Sequence, residues 1–329
     1  MTKRILVTGA AGFIGSSLCE RLVLDGHRVV AVDNLFRGQR KHLSALEGAT
    51  GFHFIEGDVR DESVLSACET FFGGFDLVHH LAAINGTRWF HEAAREVIDV
   101  NINATLSTLA AAERWNARYV LASSPEAFGE EEAMPLNERS PTTFSSAHDH
   151  QRHSYGGSKY LGEVALQHAV AAGLDARIVR PFNAYGSRLL GDAYGQVIGM
   201  MFQAVSSKQP IQVHGDGSQT RCFTHIDDIV EGFILAGELD VGLIQGKSLS
   251  GCSFNIGSTE EVSIAELARW IKVTVEDMDL EVINAEGYHG DSKRRVPDCT
   301  SAEQLLGWQC TTELGPGLKR VWQELNVQP

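Results

Sequence analysis

Thr8-Gly9-Ala10-Ala11-Gly12-Phe13-Ile14-Gly15 is the stretch that decides the fold. Its glycines are spaced by three and three. An apolar run, Ile5-Leu6-Val7, precedes it, and Leu18 to Leu24 follow with helical spacing. Strand, glycine turn and helix in that order suit a dinucleotide. Gly9, Gly12 and Gly15 permit the tight turn and let the backbone approach a pyrophosphate. The N–H groups and dipole of the helix N-terminus then hold the phosphate charge. A second apolar run, Arg28 to Val32, ends at Asp33, where a carboxylate can grip the adenosine ribose. That carboxylate repels a 2′-phosphate, so the pattern favours NAD over NADP, although Arg37 nearby would suit the phosphate.

Outward from this unit the same alternation repeats. Phe52 to Ile55, Phe75 to Leu81 and Arg118 to Ala122 read as strands, and Glu92 to Trp115 as one long Ala-rich helix. Arg177 to Arg180, before Pro181, reads as the last strand of the series. Strands alternating with helices imply a parallel sheet covered on both faces, an α/β fold of the Rossmann-type doubly wound class. Beyond Pro181 the pattern is less regular, with a Gly215-Asp216-Gly217-Ser218 cluster and helices near Asp227 to Glu238 and Ile264 to Val275. The expectation is a dinucleotide domain over 1–180, with a segment at about 222–260 packing back onto it. Residues 181–329 would form a smaller mixed α/β substrate domain sharing a cleft with the first.

Composition narrows the function. The 329 residues carry a net charge of -14, which argues against nucleic acid, whose phosphates require clustered Lys and Arg. No stretch reaches the roughly 18 apolar residues of a membrane span. The first residues run straight into a strand, so no signal peptide is expected. The six cysteines form no CxxC pair or zinc pattern, which fits reduced thiols in the cytoplasm.

Tyr155-Gly156-Gly157-Ser158-Lys159 places a phenol and an ammonium at i and i+4, on one face if this is helix. A positive charge nearby lowers a tyrosine pKa, so Tyr155 can take a hydroxyl proton while hydride leaves the same carbon. Ser123 and Ser124 end a strand, where ligands of parallel sheets gather. Asp58, after the third strand, can accept from the adenine amino group with Val59 packed on the ring. Read alone, Asp58 is better taken as a turn residue.

Taken together and in order, these motifs resemble the extended short-chain dehydrogenase/reductase family, the nucleotide-sugar epimerases and dehydratases. The resemblance also rests on His80-Leu81-Ala82-Ala83, Asn101, Arg180-Pro181-Phe182-Asn183-Ala184-Tyr185-Gly186, Gly215 to Arg221 with His225 to Asp228, Arg294 to Asp298, and Leu306-Gly307-Trp308. It implies Ser124 as the catalytic hydroxyl, Tyr155 as the base and Lys159 as the residue that lowers its pKa. It implies NAD as cofactor, held by Gly9, Gly12, Phe13, Ile14, Gly15, Asp33, Asn34, Asp58 and Val59. Leu81, Ala82, Ala83, Asn101, Tyr155, Lys159 and Pro181 would complete that set. Asn183, Arg221 and Arg295, with Ser124, would bind a nucleotide-diphosphate sugar, because guanidinium forks suit phosphate oxygens. Arg188 and Arg294 read equally as surface ion pairs. A homodimer through Glu92 to Trp115 and Tyr155 to Ala172 is implied as well.

The sequence departs from the family in informative places. Related 4,6-dehydratases carry Asp-Glu after the Ser/Thr, whereas here Pro125-Glu126 follows Ser124. Proline has no proton to give, so dehydration by that route is disfavoured, while Glu126 remains as in related decarboxylases and some epimerases. Phe128 and Ser187 replace a tyrosine and a proline of the family motifs. Trp89, in the Ile84-to-Phe90 loop, can stack on a sugar or anchor the loop. His148, His150 and His153 crowd the loop before Tyr155; they are read as solvated, with no metal expected. The first expectation is therefore an epimerase acting through transient oxidation at sugar C4. A decarboxylase of a nucleotide-linked uronic acid comes next, then a dehydratase, and from another class a non-catalytic NAD-binding protein.

Overall fold

The computed structural model describes residues 1–192, 196–244, 246–287 and 292–327. Six strands come from residues 1–181: β1 (Arg4–Thr8), β2 (Arg28–Asp33), β3 (Phe52–Glu56), β4 (Leu77–His80), β5 (Arg118–Ala122) and β6 (Ala176–Pro181). The helices between them are α1 (Phe13–Leu24), α2 (Glu62–Phe72), α3 (Thr87–Glu92), α4 (Ala94–Trp115) and α5 (His153–Ala171). In space the strands run β3-β2-β1-β4-β5-β6, all parallel.

Alternation along each strand builds two cores. Ile5, Val7, Val29, Ala31, Leu77 and Val120 face α1 and the helix Ile226–Glu238, meeting Leu18, Leu22, Ile229 and Phe233. Leu6, Val30, Val78, Tyr119 and Leu121 face the other way, against Leu65 of α2, Leu109 of α4 and Leu166 of α5. Each such side chain contributes about 1.5–3 kcal/mol on burial. Strands covered on both faces are continuous apolar runs for this reason.

Three expectations are corrected. The sheet does not end at β6: Ser253–Ile256 pairs with it in parallel, Asn255 opposite Arg180, as a seventh strand. The helix expected over Glu92 to Trp115 breaks at Ala93, whose φ of -134° and ψ of 39° turn the chain between α3 and α4. β4 is shorter than Phe75 to Leu81, because Phe75 lies before the ladder and packs edge-on against Trp115.

The second lobe is small and mixed. Ile211–His214 pairs with Val282–Ala285, and Thr220–Cys222 with Glu261–Ser263. The helix Ile264–Thr274 starts where Ser263 and Glu266 form a reciprocal capping box. Its Ile264, Leu267 and Ile271 close a separate core with Phe202, Ile211 and Leu318.

Candidate active site

A cavity of about 820 Å³ runs along the carboxyl ends of β1, β2, β4 and β5 and continues to the second lobe. Gly9, Gly12, Phe13, Ile14 and Gly15 line one end. Gly9 has φ of 67°, and a Cβ there would lie 2.7 Å from the Ala82 nitrogen. A Cβ on Gly15 would lie 2.1 Å from the Gly9 carbonyl oxygen. The loop is thus bare backbone, and Gly12, at the N-cap of α1, supplies no side-chain cap. Unsatisfied first-turn N–H groups facing a cavity suit an anionic diphosphate.

Asp33 ends β2 and lines the same end. Its carboxylate accepts from the Ala11 and Leu35 N–H groups at 2.9 and 2.8 Å. Burial raises its pKa, against those backbone donors. Asn34 donates to Asp58 at 3.2 Å, and Asp58 pairs with Arg60 at 2.8 Å. That Arg60 hydrogen bond keeps the Asp58 carboxyl below its usual range. Val59, Leu81, Ala82, Ala83 and Pro181 complete this wall. His80 lies beneath it, bound to Thr8 Oγ1 at 2.8 Å; burial lowers its pKa to about 3, so it is neutral. These features fit a dinucleotide: a bare phosphate cradle at one end of Asp33 and a polar pair beyond it.

At the middle of the cavity stand Ser124, Tyr155 and Lys159. β5 delivers two serines to opposite sides. Ser123 donates to Glu163, which holds Arg180 through two bonds of 2.6 and 2.8 Å. Ser124 faces the cavity and hydrogen-bonds the Tyr155 phenol. The Tyr155 ring stacks on Phe90 at 4.7 Å, with the ring planes nearly parallel. Burial pushes the Tyr155 pKa up, and the Ser124 bond opposes that. Lys159 Nζ donates to the Ala122 carbonyl at 2.8 Å and lies 5.7 Å from the Tyr155 ring centre. Burial lowers the Lys159 pKa to about 8, with Glu163 pulling the other way.

Glu126 sits one turn from Ser124. Burial alone would raise its pKa, but Arg295, Arg152 and Arg221 together hold it at about 2. It is a carboxylate throughout the neutral range. Arg152 lies 3.5 Å away, and Arg295 lies 3.7 Å away. Asn183 and Arg221 line the far wall with Gln212, His214 and Gln219.

Two of the expected ligand-binding residues lie off the cavity. Asn101 is buried behind it: it accepts from the Ile84 N–H at 2.8 Å and donates to Ser158, pinning the loop that starts α3. Arg295 is 3 % exposed and donates to the Pro125 and Gly129 carbonyls. It meets the cavity wall through Pro125 and Glu126. Arg294 forms an exposed two-bond pair with Glu261, whereas Arg188 lines the cavity, paired with Glu20. Trp89 lines it too and packs 5.3 Å from Phe36 across the opening. His150 and His153 are not solvated: they turn inward onto Glu130, and only His148 is exposed. The sequence reading missed Arg152 and Phe90. Arg152 was findable, three residues before Tyr155 and so on its helix face. Phe90 was not, because its contact depends on how α3 docks.

Comparison with known proteins bears on the same cavity. A family model described as "NAD dependent epimerase/dehydratase family" matches residues 5–257. The chain is 32 % identical over 329 residues to UDP-N-acetyl-alpha-D-glucosaminuronate decarboxylase of Bacillus cytotoxicus, covering 98 % of each. It is 31 % identical over 328 residues to UDP-glucose 4-epimerase of Mycolicibacterium smegmatis, covering 96 % of each. It spans about two thirds of the length of the Arabidopsis thaliana UDP-glucuronic acid decarboxylases that it matches at 30–32 %. Among solved structures, UDP-glucuronic acid 4-epimerase from Bacillus cereus, in complex with UDP-glucuronic acid and NAD, superimposes with a TM-score of 0.85. It is 27 % identical, with 98 % of this chain and 99 % of that one covered.

Proposed function

Because this chain belongs to the NAD dependent epimerase/dehydratase family, we propose that it is a nucleotide-sugar epimerase acting through transient oxidation at sugar C4. NAD is its cofactor, and the bare loop from Gly9 to Gly15, with Asp33, Asn34, Asp58 and Val59, would hold it. When bound, NAD supplies reversible hydride chemistry at the sugar carbon. Tyr155 takes the C4 hydroxyl proton and later returns it. Ser124 hydrogen-bonds the reacting oxygen and orients the phenol. Lys159 places its charge below the ring, which favours the phenolate that burial disfavours. Asn183 and Arg221 bind the diphosphate, and a cavity of about 820 Å³ leaves room for the keto sugar to present its other face.

One observation carries this reading over dehydration: the position after Ser124 is proline, and Glu126 is ionised at about 2. Neither Pro125 nor the ionised Glu126 can protonate a leaving hydroxyl, so an outcome that keeps every atom of the sugar is favoured. A second reading has its own support. Arg152, Arg221 and Arg295 lie around the Glu126 carboxylate, and a cluster of guanidinium groups is a setting that suits the carboxylate of a uronic acid. The C5 carboxylate beside a C4 ketone would then leave as carbon dioxide, its bonding electrons passing into an enolate whose C4 oxygen the Tyr155 phenol stabilises and whose C5 takes a proton from water. A retained Ser124, Tyr155 and Lys159 set argues against a pure NAD-binding protein.

We assign residues 1–180, with about 222–260, to NAD and the rest of 181–329 to the nucleotide sugar. The pairing of Ser253–Ile256 with β6 supports this division. Exposed Ile98 and Leu106 on α4, and Tyr160, Leu161 and Val164 on α5, support a homodimer through these helices. No helix among the described residues is long and apolar enough to cross a membrane. Six unpaired cysteines fit the reducing cytoplasm.

Mass spectrometry of products from a panel of nucleotide sugars and nucleotide-linked uronic acids tests the reading. Unchanged mass with a new chromatographic peak is expected. Loss of carbon dioxide would replace it with the decarboxylase, and loss of water would overturn the argument from Pro125.

A further inference from the structure

The segment between Gly129 and α5 gathers polar side chains that the proposed chemistry does not use. Glu130 Oε1 lies 3.0 Å from His153 Nε2 and 3.3 Å from His150 Nε2. Ser145 Oγ lies 2.9 Å from the same carboxylate oxygen, 3.3 Å from His150 Nε2 and 3.2 Å from His153 Nε2. These four atoms outline a small tetrahedron, with five of its six edges between 2.9 and 3.3 Å. Four ligands held tetrahedrally at about 2.0–2.1 Å from a zinc ion lie roughly 3.3–3.4 Å apart. The cluster thus needs an outward shift of a few tenths of an ångström to hold an ion at its centre.

Hydrogen bonding alone uses this set poorly. A single carboxylate oxygen takes three donors at once, and the buried Nδ1 of His150 has no hydrogen-bond partner. The side chains of His150 and His153 are 9 % and 16 % exposed, whereas Glu130 is 34 % exposed and gives an entry path from solvent. Imidazole nitrogens with one carboxylate select zinc-like ions over magnesium or calcium, which prefer all-oxygen shells. We propose that Glu130, His150 and His153, with Ser145 or a water as fourth donor, form a site for one divalent transition-metal ion of the zinc type.

The ion would act through position. Glu130 directly follows the turn that carries Ser124, Glu126 and Gly129, and His150 and His153 lead into the first turn of α5. A metal here ties the serine loop to the helix two residues before Tyr155.

Untagged full-length protein, stripped with chelator and titrated with Co²⁺, gives the test. The expected result is the visible absorption of a tetrahedral Co²⁺ centre, saturating at one ion per chain and displaced by Zn²⁺. Zn²⁺ should also raise the melting temperature in proportion to the logarithm of its concentration. His150→Gln and His153→Gln should each weaken Co²⁺ binding at least tenfold, while His148→Gln, in the same loop but outside the cluster, leaves it unchanged. No saturable absorption up to about 100 μM Co²⁺, a Kd class too weak for a built site, would overturn the proposal on the wild-type protein alone. Equal binding by the wild type and both histidine variants would overturn it too.

Discussion

Lys159 shows how one buried charge couples stability to chemistry. Its pKa, lowered to about 8 by burial from an ordinary value of 10.5, means that the unfolded chain binds this proton more tightly than the folded one. The sign follows from linkage. Below pH 8 the folded protein carries the full cost of a buried ammonium; that cost disappears as the pH rises from 8 to 10.5. Lys159→Met should therefore raise the melting temperature at pH 7 by about 2–5 °C while removing turnover. The gap to wild type should close between pH 8 and 10.5 in scanning calorimetry. Tyr155→Phe should cut turnover by about 10²–10⁴-fold yet keep NAD, read by releasing the nucleotide from denatured protein. Glu126 has the opposite sign: held at about 2, its stabilisation is present above the ordinary 4.5 and is lost as pH falls toward 2. Glu126→Gln should cost about 3 kcal/mol of stability at pH 7 by removing the charge that Arg152 and Arg295 face at 3.5 and 3.7 Å, a deficit that narrows on acidification. At this scale, the glycines, Ser124, Tyr155 and Lys159 were legible because spacing alone brings them to a strand end or a helix face. The burial of Arg295 was not, because its partners, Pro125 and Gly129, lie more than 160 residues away.

Among the elements, α5 is the most constrained. It packs against α4 and against the Pro125–Phe128 turn, and it carries two adjacent glycines with opposite surroundings. A Cβ on Gly156 would lie 2.3 Å from the Glu126 carbonyl oxygen, whereas one on Gly157 meets nothing within 4 Å. Gly156→Ala should push the helix off the serine loop, lowering both the melting temperature and kcat, the latter at least tenfold through displacement of Tyr155. Gly157→Ala should be stabilising by about 0.5–1 kcal/mol, the usual gain of Ala over Gly in a helix. Side-by-side melts and steady-state kinetics check both. Elements with a plain local signal were readable beforehand, β1 and β2 as apolar runs and α1 by its place after the glycine turn. The break at Ala93 was not, since alanine favours helix and only the docking of α3 over the cavity bends the chain there.

The whole molecule adds a property that no element has alone. Exposed apolar side chains on α4 and α5 give the proposed dimer a concrete test: Leu161→Asp should shift the sedimenting species from twice 35.9 kDa to the single chain, with the fold retained by circular dichroism. The seventh strand is the feature least visible in the sequence. Ser253–Ile256 is four residues long, too short for the alternation of Phe254 and Ile256 to stand out, and lies far along the chain from β6, so only the finished sheet gives it meaning. It also sets an order of events during synthesis. The sheet edge at β6 stays open while the ribosome adds the whole stretch between Pro181 and Ser253, the first part of the second lobe included. A nascent chain halted in that interval presents an unpaired strand to its surroundings, the kind of surface on which chains join each other. The last strand of the large sheet is therefore a checkpoint: the edge at β6 closes only after the segment that carries Asn183 and Arg221 has been made.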